Sequence, residues 1–249
     1  WGLGKKLFYY DEEDNWVKAV YLSVDGEPSL DADDGVAIYE LEYDACGNVI
    51  AVYYKNHEGG FMLPEMYGVA GYLYEYDDNG FICKQSAVGV DGVVEFSARH
   101  QCAIILCECN EYGFVVKQTY CDADGNMCAN REGSAYVTSV TDERGNCLEW
   151  WSYGVDGELA ETQYGNAGKK MEYDEKGCVI KETYYGVDGE PCLVADGIAG
   201  YTYEYNEMGD MIKQSALGVD MLPTLDSNNV CTMVFVRDIR GNITKLSNY

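Results

Sequence analysis

The segment 97–109, SARHQCAIILCEC, holds the side chains best suited to chemistry. A cysteine with a histidine nearby can act as nucleophile and base. Here Arg99 and His100 precede Cys107 and Cys109. The sequence offers no third group to orient the histidine, so we favour a degenerate structural segment with small core residues. We predict no catalytic residues and a protein that is not an enzyme.

Trp150 and Trp151 form a second candidate site, in the segment Glu149-Trp150-Trp151. Broad aromatic rings offer a large apolar contact area together with a polar N–H group. Exposed tryptophans would suit stacking against sugars. We therefore predict that these two residues bind a ligand, with a structural role in the core as the alternative.

Two acidic loops are candidates for a metal site. The segments DADDG at 31–35 and DADG at 122–125 place carboxylates at alternate positions, as calcium loops do. The candidate ligands are Asp31, Asp33, Asp122 and Asp124. Neither loop has the downstream glutamate of a complete EF-hand loop, and the alternative is that these residues belong to turns. Beyond calcium, no cofactor is predicted.

The composition restricts the classes of partner. The formal net charge of −26 disfavours nucleic acid and anionic membranes. No apolar run reaches membrane-spanning length, so we expect no membrane insertion. The eleven cysteines include no C-x-x-C pair, and their disulfide state stays open. The chain begins at Trp1 without a visible signal peptide, and we expect flanking domains of a longer chain.

A repeat of 32–33 residues organises the chain. The pattern D-x-x-G, with Asp or Asn first, places turn glycines at Gly47, Gly80, Gly113, Gly145, Gly177, Gly209 and Gly241. Asp or Asn opening a type I turn can accept a backbone hydrogen bond, and the glycine can adopt positive φ. The pattern predicts a β-hairpin turn. Asp44, Asp77 and Asp174 are predicted to be turn residues, together with their glycines.

A second turn is predicted twelve residues after the first. It reads VDG in four copies, including Asp188-Gly189, and ADG in a fifth. Asp-Gly is a strong signal for a tight turn. We assign this turn position to Gly60 in the second copy and to Met221 in the last. Pro28, Pro191 and Pro223 follow two residues later, where we expect an edge or a loop.

The segments between these turns alternate with period two, as in Tyr72-x-Tyr74-x-Tyr76. We predict an all-β fold of tandem hairpins, stacked into an elongated or curled sheet or solenoid. It should be a single array over 1–249 with about seven units and a partial first unit at 1–26. A lone hairpin cannot bury its aromatic face, whereas stacked copies can.

The phrases YEYDDNGFICKQ, EYDEKGCVIKETYY and YEYNEMGDMIKQ resemble the YD repeats of the RHS family. The shared core is Y-x-Y-D-x-x-G followed by two apolar residues and a polar one. The segment DGIAGYTYEYNEMGDMI is also similar to WG-type and MORN-type hairpin repeats. The resemblance implies curved sheets of hairpin repeats in secreted or surface proteins, some of which wrap a toxin.

We expect a non-catalytic repeat region of a secreted or cell-surface bacterial protein. It would act as a spacer, an adhesin stalk or a multivalent platform for a glycan or a host or cell-surface protein. The alternative is an RHS-like scaffold in a toxin-delivery or carbohydrate-active protein. The sequence does not identify the ligand or the oligomeric state.

Overall fold

The computed structural model describes residues 4–238 and 240–249 as an all-β protein. Strands take up about two fifths of these residues, and none of them form a helix. The strands are β1 (Lys5–Tyr10), β2 (Trp16–Leu22), β3 (Ile38–Tyr43), β4 (Val49–Lys55), β5 (Gly71–Tyr76), β6 (Ile82–Val88), β7 (Ile104–Cys109), β8 (Val115–Cys121), β9 (Tyr136–Thr141), β10 (Cys147–Tyr153), β11 (Gly168–Tyr173), β12 (Val179–Tyr185), β13 (Gly200–Tyr205), β14 (Met211–Leu217), β15 (Thr232–Arg237) and β16 (Ile243–Asn248).

Within the described residues these sixteen strands form an open sheet in chain order, which confirms the predicted fold class. The chain separates into two compact units. The first is Trp1–Cys109 with Gln118–Arg131, and the second is Asn110–Lys117 with Glu132–Tyr249. The predicted single array over 1–249 stays a prediction. No helix in the described part of the chain is long and apolar enough to cross a membrane.

Each full repeat contains three turns, one more than the sequence pattern indicated. Each turn ends at a residue with positive φ, so the second repeat has Gly47, Gly59 and Gly68 at φ 83°, 84° and 65°. The second turn therefore ends at Gly59, and our assignment to Gly60 is wrong by one residue. Met221, the last copy's residue in this slot, has φ 61°.

The third turn explains the two repeat lengths. In the longer repeats, the Gly35 and Gly68 N–H groups donate to carbonyls four residues back, on Asp31 and Pro64. In the shorter repeats, the Gly165 and Gly197 N–H groups donate to carbonyls three residues back. One residue is thus removed inside this turn, while the hairpin keeps its length.

The aspartate of the D-x-x-G turn caps its own loop. The Asp44 Oδ1 atom accepts hydrogen bonds from the N–H groups of Cys46 and Asn48, at 2.8 and 2.9 Å. Asn206 makes the equivalent bonds through its amide oxygen, at 2.9 Å each. Either side chain satisfies backbone donors that the turn leaves unpaired, which explains why the slot accepts Asp or Asn.

The tyrosine before this aspartate links neighbouring repeats. Its hydroxyl donates to the backbone carbonyl just after the turn of the preceding repeat. The pairs are Tyr43 to Trp16 at 2.7 Å, Tyr76 to Val49 at 2.7 Å, Tyr173 to Cys147 at 2.9 Å and Tyr205 to Val179 at 2.7 Å. In each hairpin the pairing of the two strands shifts by one residue next to this carbonyl. Such a bulge leaves the carbonyl oxygen able to accept the tyrosine hydroxyl.

A ladder of small residues lies where one repeat joins the next. Its members are almost completely buried and are Ala37, Ala70, Ala103, Ala135, Ala167 and Ala199. The Ala70 carbonyl accepts from the Tyr54 N–H at 2.8 Å, and the Ala70 N–H donates to the Val88 carbonyl at 2.7 Å. Ala103, Ala167 and Ala199 make the same pair of backbone bonds, so this buried position joins one hairpin to the next.

Candidate functional site

A groove lies on the second unit. It has a volume of about 630 Å³, within the usual range for ligand sites. Its lining comes from three consecutive repeats and consists of Glu132, Cys147, Trp150, Thr162, Gln163, Tyr164, Asn166, Lys169, Met171, Tyr184, Val194, Ala195 and Asp196. Aromatic faces and a few polar groups thus converge on one space.

The two predicted ligand-binding tryptophans point to opposite faces of strand β10, because adjacent strand residues alternate. Trp150 lines the groove. Trp151 packs against Tyr185, with ring centroids 5.5 Å apart, and its Nε1 donates to Glu149 Oε2 at 3.0 Å. Both are half-buried. The structure therefore places only Trp150 in the groove, and its ligand binding stays a prediction.

A charged network supports one wall of the groove. The Glu182 Oε1 atom accepts hydrogen bonds from the hydroxyls of Tyr184 and Tyr203, at 3.0 and 2.6 Å. The Glu182 Oε2 atom lies 3.6 Å from Lys169 Nζ. Burial and the Glu182 carboxylate raise the pKa of both tyrosines above its usual value. The tyrosines stay neutral donors at physiological pH, and the Lys169 charge is compensated.

Ser152 lies on the same face of strand β10 as Trp150, because alternate strand residues share a face. Ser152 is fully buried, and its hydroxyl lies 2.7 Å from the hydroxyl of Ser134. Tyr164, on the third turn of the same repeat, is 57% exposed at the rim.

In the first unit the corresponding space is filled by rings. Tyr54 is 5% exposed and stacks on Tyr67, with centroids 4.5 Å apart and planes at 15°. Tyr39 and Tyr72 contact Tyr54 edge-on at 5.4 and 6.4 Å. These residues belong to a core cluster with Val36, Val69 and Ala87.

The four candidate metal ligands lie in turns. The Asp31 Oδ1 atom accepts from the N–H groups of Asp33 and Asp34, at 2.7 and 3.3 Å. The Asp122 Oδ1 atom accepts from Asp124 and Asn126, at 3.0 and 2.8 Å. Across the described residues no cluster of three or more His, Cys, Asp or Glu side chains is arranged to hold a metal. Calcium binding stays a prediction.

The Cys–His segment is divided between strand β7, which carries Cys107, and the third turn of its repeat, which carries His100. Burial raises the pKa of the Cys107 thiol, and Gln118 Nε2 lies 3.9 Å from its sulfur. Burial also lowers the pKa of His100. A protonated thiol is a poor nucleophile. His100 lies on the third turn, where its carbonyl accepts from the Arg131 N–H at 3.1 Å.

The turn residues singled out in the sequence lie in the turns of their repeats. Gly80, Gly177 and Gly189 have φ of 81°, 85° and 76°. Asp77 and Asp174 accept hydrogen bonds from backbone N–H groups within their own turns, and Asp188 accepts one from Glu190 at 3.0 Å. Sequence reasoning missed Tyr164 and Lys169 as groove residues, because neither stands out until neighbouring repeats are superposed.

Comparison with protein-family models gives no match, and comparison with curated proteins gives none either. Among solved structures, the chain is similar to a TcdB2-TccC3-TEV crystal structure, with 13% identity and a TM-score of 0.31 over 99% of this chain and 15% of that chain. It is similar to a TcdB2-TccC3 crystal structure, with 13% identity and a TM-score of 0.26 over 98% of this chain and 16% of that chain.

A structure of the Photorhabdus luminescens Tc holotoxin pore gives 14% identity and a TM-score of 0.25 over 98% of this chain and 16% of that chain. The chain spans less than a fifth of the length of each of these three proteins. Identity and TM-score are low throughout, so the description of the fold rests on the chain's own strands and turns.

Proposed function

We propose that the chain is a non-catalytic repeat region that presents a multivalent ligand surface on a secreted or cell-surface bacterial protein. The observation that carries the proposal is the Trp150 groove, an open space lined by aromatic rings within an otherwise structural repeat. Flanking domains of a longer chain would anchor it. Glycans and host or cell-surface proteins are the proposed ligand classes.

Most repeated side chains already have structural partners, which supports a binding role over catalysis. The tyrosine hydroxyls bond to neighbouring carbonyls, and the turn aspartates cap their loops. The repeated lysine pairs with a glutamate across its hairpin, as in Lys84–Glu75 at 2.7 Å and Lys213–Glu204 at 2.7 Å.

Glycan arrays and arrays of surface proteins test the proposal with the purified chain. We expect binding to at least one ligand class and a clear loss of binding in Trp150→Ala. Trp151→Ala is the matched control, because its ring lies on the other face of the strand. If Trp150→Ala leaves binding unchanged, the groove is not the binding site.

An activity screen with ester, peptide and glycoside substrates tests the non-catalytic part. We expect no turnover. Turnover abolished by Cys107→Ala or His100→Ala would establish an enzyme and overturn the proposal.

The second candidate is an RHS-like scaffold within a toxin-delivery or carbohydrate-active protein. The repeated Tyr-Asp core with its interlocking hydroxyl favours this candidate. Sequencing of the flanking regions separates the two: a wall anchor supports the first function, and a variable toxin-like segment supports the second.

A further inference from the structure

We propose that the Trp150 groove binds a planar organic cation, namely the guanidinium group of an arginine side chain in a basic peptide. This inference rests on the proposed binding function and specifies its ligand class. The groove combines the rings of Trp150, Tyr164 and Tyr184 with the carboxylate of Asp196. Arginine stacks on aromatic faces and also pairs with carboxylates.

The shape of the groove follows from the repeat register. Tyr164 precedes the positive-φ residue of a third turn, as Tyr67 does in the first unit. Ser152 occupies the strand position of Tyr54, the ring on which Tyr67 stacks. The Tyr164 ring therefore lacks the stacking partner that its counterpart has. A flat group entering from solvent can take the place of that missing ring.

The charge of the groove favours a cation over a neutral ring. Asp196 is exposed at the rim, and the chain carries a net charge of −26. Lys169 is the lysine of the lining, and its ammonium group lies against Glu182. A positively charged ligand is thus attracted by the overall field and by the Asp196 carboxylate.

The first unit contains an ammonium group of this chain that lies among aromatic rings. Lys6 Nζ lies 4.6 Å from the Tyr21 ring centroid and 5.6 Å from that of Tyr39. It also lies within 5.7 Å of the rings of Phe8 and Trp16. Asp31 is close enough for the Lys6 charge to favour its ionised form. Aromatic rings of the repeat therefore already surround an ammonium group.

Calorimetric or NMR titration with two blocked peptides tests the inference. One is Gly-Arg-Gly and the other is Gly-citrulline-Gly, which keeps the shape and removes the charge. The variants are Trp150→Leu and Asp196→Asn. The control is Glu207→Gln, which removes one exposed carboxylate in a turn that does not line the groove. Circular dichroism verifies that each variant is folded.

We expect weak binding of the arginine peptide and at least about tenfold weaker binding of the citrulline peptide. Trp150→Leu should weaken binding of the arginine peptide about fivefold, as for the loss of a cation–π contact. Asp196→Asn should weaken it about threefold, and more at low salt. Glu207→Gln should leave it unchanged.

Equal binding of the two peptides, or arginine binding that Trp150→Leu does not weaken, would overturn the inference. Absence of arginine binding would also overturn it. If a glycan then binds in a Trp150-dependent manner, the proposed binding platform survives and only the ligand class is wrong. If no ligand of any class binds at Trp150, the proposed function fails at this site as well.

Discussion

Residues 36–87 and residues 132–196 share the same arrangement of strands and turns, but the first region is closed by packed rings and the second contains an open groove. In the first region Tyr54 is 5% exposed and stacks on Tyr67, which closes the face with rings. In the second region Ser152 and Tyr164 occupy the corresponding positions, and Tyr164 is 57% exposed beside a groove. The two regions thus differ at one repeat position, which holds a buried tyrosine ring in the first region and a buried serine in the second.

The difference shows which positions of a repeat protein can change to form a binding site. Positions that hold the frame together, such as Ala70 and Ala167, are buried in both regions. Positions above the frame vary, because their side chains contact only neighbouring repeats. The groove therefore arises from changes at the variable positions, while the buried alanines that join the repeats are kept.

Tyr54→Ser should have the largest effect, since it converts the packed region towards the open one. Loss of a buried aromatic ring costs about 3–5 kcal/mol of the free energy of unfolding. Denaturant unfolding measures it. Tyr164→Ser is the control and should change the free energy by less than about 0.5 kcal/mol. Equal effects at the two positions would show that the regions do not differ in packing.

Gly59→Ala tests the turn frame on which the comparison rests. Gly59 has φ 84°, and alanine resists this conformation, so we expect a loss of about 1–2 kcal/mol in the free energy of unfolding. Gly60→Ala, one residue further, should cost much less. The reverse order in thermal and denaturant melts would restore the original assignment of this turn to Gly60.

Tyr76→Phe and Tyr173→Phe test whether the interlocking bond is shared by the two regions. Each variant removes a hydroxyl that donates to a backbone carbonyl, at 2.7 and 2.9 Å. We expect each to lower the free energy of unfolding by about 1 kcal/mol. Tyr112→Phe, at an exposed turn position, is the control. A cost in only one region would mean that the repeat frame is not common to both.

Gln101→Gly should give a smaller change of opposite sign. Gln101 has φ 54° in a slot that holds glycine in other repeats. Glycine relieves this strain but adds freedom to the unfolded chain, so we expect a net stabilisation of about 0.5 kcal/mol. Gln163→Gly, in a third turn but outside the positive-φ position, should destabilise instead. Equal melting shifts would contradict the three-turn frame.

Asp44→Asn and Asp142→Asn should give the smallest effects, visible as a change in pH dependence. Hydrogen bonds from Asn48 and Asn146 lower the pKa of these two aspartates in the folded chain. A lowered folded pKa stabilises the chain above the unfolded pKa, and this stabilisation is lost as pH falls through the folded pKa. Melts from pH 6 to pH 2 should show the wild-type advantage shrinking. A constant difference would contradict the lowered pKa of the two aspartates in the folded chain.

The strands and two of the three turns could be predicted from the sequence. Asp-x-x-Gly and Asp-Gly have their own local turn chemistry, and their constant twelve-residue spacing fixes the register. The third turn escaped because its closing slot holds Gln101 in one repeat and Asn229 in another. Local propensity does not reveal those positions, since the surrounding sheet imposes their φ angles.

The groove could not be predicted from the sequence. Trp150 could be singled out as an unusual residue, but its separation from Trp151 depends on the strand's alternation. The roles of Ser152 and Tyr164 become apparent only when these residues are compared with Tyr54 and Tyr67 in another repeat. The alanine ladder was missed for a related reason: alanine carries no distinctive turn or strand signal, and its role comes from close contact between backbones.

Tyrosine nitration of the folded chain, followed by mass spectrometry of its peptides, tests the difference between the two regions most directly. The account predicts rapid modification of Tyr164 and protection of Tyr54, with the Gly-Arg-Gly peptide slowing the reaction at Tyr164. Modification of both tyrosines at similar rates, or faster modification of Tyr54, would contradict the claim that one repeat position is filled and its counterpart is open.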